Sequence, residues 1–158
     1  MGPTRNRDLT AATVVAAVLG YVLVTVTYRW FPPITVWTGL SLLAVAIAEG
    51  GWAFYVRAKI NDGQIGDGPG WLHPLAVARS VMIAKASAWV GALVLGWWVG
   101  VLVYLLPRRG SVRVAGEDTA GAVVAAVSAL ALLVAALWLQ HCCKSPPEPP
   151  ENGEGAAD

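Results

Sequence analysis

Residues 75–106 read LAVARSVMIAKASAWVGALVLGWWVGVLVYLL, and this run decides the architecture. From Ser87 to Leu106 it carries no formal charge. About 20 such residues, at 1.5 Å per residue, cross a hydrocarbon core of ~30 Å. The segment is therefore predicted to be a membrane-spanning helix. Ahead of Ser87 the same helix carries Arg79 and Lys85, so its first turns either project roughly 18 Å from the inner face or bend and lie in the interface.

A second regularity runs through the same segment. Ala76, Ser80, Ala84, Ala88, Ala92, Gly96 and Gly100 put a small residue at every fourth position, ending in a GxxxG. Lipid supplies no hydrophobic drive between helices, so small residues that let backbones approach closely become the packing surface. The stretch Ala84, Ala88, Ala92, Gly96 and Gly100 is thus predicted to be a helix-packing seam. It would serve either another helix of the chain, helix 2 or 4, or self-association through helix 3.

Outward from this element lie three more stretches of spanning length with at most one charge: Leu9–Tyr28, Ile34–Val56 and Ala120–Gln140. The fold class that follows is an all-α membrane protein, a four-transmembrane-helix bundle over residues 1–144, with helices at about 9–28, 34–56, 75–106 and 120–140. Composition agrees, because 56% of residues are apolar and only 13% charged, against ~25% charged in soluble domains. A net charge of +1 offers no basic field for nucleic acid. Residues 145–158, SPPEPPENGEGAAD, are too poor in apolar side chains to offset their ordering entropy and are predicted to be a disordered Pro/Glu-rich cytoplasmic tail. The first helix is too long for the hydrophobic region of a signal peptide, and the bulky Tyr28-Arg29-Trp30-Phe31 after it is no peptidase site, so it is expected to remain as an anchor.

Basic residues set the orientation. With the N-terminus inside, Arg5, Arg7, Arg57, Lys59, Arg79 and Lys144 are cytoplasmic, against Arg29, Arg108, Arg109 and Arg113 outside. That bias predicts cytoplasmic termini on both ends. Trp30, Phe31 and Trp37 at one boundary, and Trp52, Tyr55, Trp89 and Trp138 at the other, suit interfacial aromatic belts. Pro33 and Pro74 fit the first turns of helices 2 and 3, Asp118 or Thr119 fits the N-cap of helix 4, and Pro107 closes helix 3.

Glu49 is the only charge within the second span. A carboxyl at that depth is costly unless it is paired, protonated or hydrated. On a helical wheel it shares a face with Thr35, Thr38, Leu42, Val45 and Ala53, so it is predicted to point into the bundle. Lys85, with Arg79 as substitute, is the natural partner on helix 3. Such an intramembrane polar pair reads either as a pin fixing helix register or as a proton- or substrate-linked site.

Other motifs carry less. The loop NDGQIGDGPGW lacks the Gly-Lys-Ser/Thr of a phosphate-binding loop, and Asp62 and Asp67 lack calcium-loop spacing. His73, His141, Cys142 and Cys143 could in number ligate zinc, but the adjacent cysteines lack the usual separation. No nucleophile–base constellation stands out. No cofactor, no metal and no enzymatic activity are expected.

The segments YRWFPPITVWTGLSLLAVAIAE, FYVRAKI, LHPLAVARSVMIAKASAWVGALVLGWWVGVLVYLLPRR and AGEDTAGAVVAAVSALALLVAALWLQHCC together resemble a family of small four-helix membrane proteins of actinobacteria. That family is commonly encoded beside folate-biosynthesis genes and is known as a domain of unknown function. The resemblance covers residues 4–143 and implies the fold and a multi-pass place in the bacterial plasma membrane, without implying any chemistry. The expected function is a non-enzymatic accessory or scaffold subunit of the cell envelope, meeting lipid and a membrane-protein partner. The alternative is a small oligomeric transporter with Glu49 as its coupling residue. Small multidrug-resistance transporters look alike in helix number, but their carboxylate lies in the first helix, where this chain has none.

Overall fold

A computed structural model describes residues 6–27, 30, 34, 36–66, 68–108, 110 and 113–143. The expected tail at 145–158 and the basic residues Arg5, Arg29, Arg109 and Lys144 lie outside them. Four long helices make up the fold: α1 Asn6–Thr27, α2 Leu40–Asn61, α3 Pro74–Leu105 and α4 Arg113–Cys142. Each contains a stretch long and apolar enough to cross a membrane. Their outward faces carry exposed Val14, Val26, Ile47, Val127 and Val134, a surface suited to lipid contact.

The helices are arranged in the order α1–α3–α4–α2. α3 and α4 form the centre, α1 packs on α3, and α2 packs on α4. The small-residue stripe explains the centre. A Cβ at Gly96 would collide with the carbonyl oxygen of Thr13, and one at Gly100 with that of Ala17, so α1 lies directly on the backbone of α3. Toward the other end, Ala88 and Ala92 pack with Leu9 and Ala136, and Ala84 with Ala53, Leu139 and Cys142. A Cβ on Gly91 would meet Leu133 at 3.0 Å. The seam is thus filled within the chain, by α4 and at Ala84 also by Ala53 of α2, as expected, and in addition by α1. α1 was not foreseen because its sequence carries no matching stripe of glycines.

The helix ends also depart from expectation. α2 begins at Leu40 rather than Ile34, after a 3₁₀ turn at Val36–Gly39. Gly39 is why the chain can enter there, since a Cβ on it would stand 2.7 Å from Ala125 Cα of α4. α4 begins at Arg113, seven residues before the expected start at Ala120. Asp118 is therefore inside the helix instead of capping it, and its Oδ1 accepts the Ile34 N–H at 2.9 Å. This buried carboxylate stitches the start of the second membrane segment to α4. The α3 boundaries hold: His73 is the N-cap, its Nδ1 accepting from Leu75 N–H at 3.1 Å, with Pro74 in the first turn, and a short 3₁₀ turn at Leu106–Arg108 follows the helix.

The α2–α3 loop is folded back on itself. Lys59 Nζ donates to Gln64 Oε1 at 2.7 Å and to the Gly70 carbonyl at 2.8 Å. Leu72 N–H donates to the Gln64 carbonyl at 2.8 Å. Gly63 and Gly70, at φ of 65° and 84°, take left-handed turns that side chains with a Cβ resist. The four glycines make this a compact turn, as their loop composition suggested.

Candidate functional site

α2 and α3 are neighbours that do not pack backbone to backbone. Between them is a cleft of about 770 Å³, within the ~300–1,000 Å³ range of small-molecule pockets. Val45, Ala48, Glu49 and Trp52 form its α2 wall, and His73, Ala76, Arg79, Ser80 and Ile83 its α3 wall. Leu139 of α4 also lines it. The lining is overwhelmingly apolar, and the cleft is open on one side.

Two hydrogen bonds hold the walls together. Trp52 Nε1–H donates to Ser80 Oγ at 2.8 Å, and that hydroxyl donates in turn to the Ala76 carbonyl at 2.8 Å. Deeper in, Ser87 Oγ donates to Glu49 Oε1. Glu49 is only 8% exposed. Its second oxygen, Oε2, is buried without a hydrogen-bond partner. Most buried polar groups are satisfied, so an orphaned carboxyl oxygen needs a reason.

The sequence-predicted residues are thus partly gathered. Glu49 points inward, as its helical face implied. Its Oε1 accepts a hydrogen bond from Ser87, two positions beyond the expected partner Lys85. Arg79 lines the same cleft from an exposed position on the first turns of α3. Serine was passed over because its hydroxyl leaves no mark in a charge pattern. By helix rise Glu49 lies about 14 Å from the start of α2 and about 18 Å from its end.

The remaining candidates do not form a site. Among the described residues no three His, Cys, Asp or Glu side chains gather as metal ligands. His73 Nδ1 is engaged at the α3 N-cap, and Cys142 is buried against Ala53, Ala84 and Leu139. Burial, with Cys142 beside it, pushes the Cys143 thiol up, away from the thiolate that a metal requires.

A family model described as a protein of unknown function (DUF3180) matches residues 9–147. No curated protein and no solved structure matches the chain.

Proposed function

Because the chain belongs to this family of unknown function (DUF3180), we propose its role from geometry: it is a non-enzymatic membrane protein that binds a small molecule in the α2–α3 cleft. The observation that carries this reading is the orphaned Glu49 oxygen in a residue lining an apolar cavity. Leaving such an oxygen unsatisfied costs roughly 1–3 kcal/mol, which a bound hydrogen-bond donor would recover. Transport, with Glu49 as coupling residue, is the activity this arrangement suits. The expected orientation, both termini in the cytoplasm of a bacterial cell, puts the His73–Arg79 end of the cleft at the inner headgroups. Reporter fusions after Lys59 should then read cytoplasmic and fusions at Ser111 external, and an internal Ser111 would invert the assignment.

The accessory-subunit reading keeps one observation. A second apolar groove of about 630 Å³ runs between α2 and α4, with Gly50, Ala131 and Ala135 among its lining residues, a surface another membrane helix could approach closely. The seam on α3 lends it less support, because α1 and α4 already cover it.

The binding reading is tested by native mass spectrometry on protein extracted in mild detergent. Wild type should carry a small-molecule adduct that Ala48→Trp, which fills the cleft from α2, does not. An identical adduct pattern in both would remove the cleft from consideration.

A further inference from the structure

We propose that the α2–α3 cleft selects a lipophilic organic cation, a hydrophobic body bearing a single ammonium or phosphonium charge. This rests on the binding reading above and adds the chemical class of the ligand.

Three observations converge on a cation. First, the deep end of the cleft holds a buried acceptor, the Glu49 carboxyl. Ser87 gives its hydroxyl hydrogen to Glu49 Oε1, while Oε2 has no partner. An unpartnered acceptor buried behind an apolar wall favours a positive guest, and the low local dielectric strengthens that preference. Second, Trp52 lines the same space, and its ring is fixed because Nε1–H is tied to Ser80 Oγ at 2.8 Å. An indole held beside a carboxyl is a favourable seat for an ammonium, through attraction between the cation and the ring face. Third, the other lining residues, Val45, Ala48, Ile83 and Leu139 among them, suit an apolar body and would not solvate a small hydrophilic ion.

The same geometry argues against other guests. An alkyl chain of a bilayer lipid fits the walls but brings no hydrogen-bond donor to Glu49. An anionic amphiphile would find Arg79 at the mouth and then face the carboxyl further in. Arg79 itself does not exclude a cation. It is exposed, and it lies about 12 Å along α3 from Ser87 by helix rise, a distance at which water and salt screen it.

The test uses two ions of equal shape and opposite charge, tetraphenylphosphonium and tetraphenylborate. The full chain is reconstituted in nanodiscs of zwitterionic lipid, and saturable binding is read by equilibrium dialysis against empty nanodiscs. Phosphonium should bind saturably and borate should not. Glu49→Gln, which keeps size and shape, should weaken phosphonium binding by roughly tenfold or more, in line with the loss of a charged partner. Glu49→Asp should retain part of it, and Ala48→Trp should abolish it. Equal binding of both ions would overturn the charge preference while leaving the cleft a binding site. Undiminished phosphonium binding by Glu49→Gln would overturn the role of the carboxyl. Absence of saturable phosphonium binding in wild type would overturn the cation class, and the native-mass comparison would still judge the cleft on its own.

Discussion

Gly96→Leu is expected to leave little folded protein. A Cβ at that position would occupy the space of the Thr13 carbonyl oxygen and lie 2.8 Å from the Ala16 methyl group. The obstacle is backbone, which no rotamer change can clear. α1 would have to move away from α3 over at least two turns, since Gly100 makes the same approach to Ala17 and Tyr21. Overpacking of this kind costs about 3 kcal/mol or more, and α1 has no other extensive helix partner to hold it. Thermal unfolding in detergent is the measurement. Two controls set the scale. Val99→Leu, on an exposed part of α3, should be near neutral. Gly51→Ala, with nothing within 4 Å of the added methyl, should stabilise by roughly 0.5–1 kcal/mol through helix propensity. If Gly96→Leu melted with these controls, the close approach of α1 and α3 would be wrong.

Glu49→Leu should raise the melting temperature, and Ser87→Ala should lower it. The two share one hydrogen bond, yet they are not symmetrical. Removing the serine hydroxyl leaves a buried carboxyl with neither oxygen satisfied, at a cost of about 1–3 kcal/mol. Removing the carboxyl leaves only a serine hydroxyl, which can turn back to a carbonyl of its own helix. Leucine in place of Glu49 also removes the desolvation of Oε2. The double variant should therefore match Glu49→Leu alone, a non-additivity that marks direct coupling. If Lys85 also pairs with the carboxyl, the leucine variant will strand an ammonium and be strongly destabilised. A melting series on the two singles and the double decides between these outcomes. A Glu49→Leu variant as unstable as Ser87→Ala would show that the carboxyl is a structural pin. A stabilised Glu49→Leu variant would show a residue held at the expense of stability, as functional sites often are.

The membrane spans were legible because hydropathy and length alone specify them, and α3 was placed to within a residue at each end by Pro74 and Pro107. The inward face of Glu49 followed from its helical neighbours Val45 and Ala53. Other features resisted reading for physical reasons. Hydropathy marks where a helix enters lipid and is blind to the extension of α4 through the charge-bearing stretch Arg113–Asp118. Gly39 reads as one small residue among many until the backbone of α4 is seen beside it. The small-residue stripe announced a close contact but not its occupant, because which helix meets which is a long-range matter that no local pattern encodes. The cleft is the same kind of feature, a separation between two walls. Its carboxyl was visible in the sequence, and the hydroxyl opposite it was not.

The order α1–α3–α4–α2 also governs how the chain can be assembled. Helices leave the ribosome in numerical order, yet α1 and α2 do not pack extensively on each other. The first must wait in lipid for the third, and the second for the fourth. A chain divided in the 62–72 loop would give an N-terminal half of two helices with little mutual contact and a C-terminal half that is already a packed hairpin. The second half of the gene thus encodes the template on which the first half docks. α1 acquires its partner once α3 is inserted, and biogenesis ends when α4 enters and supplies the partner of α2.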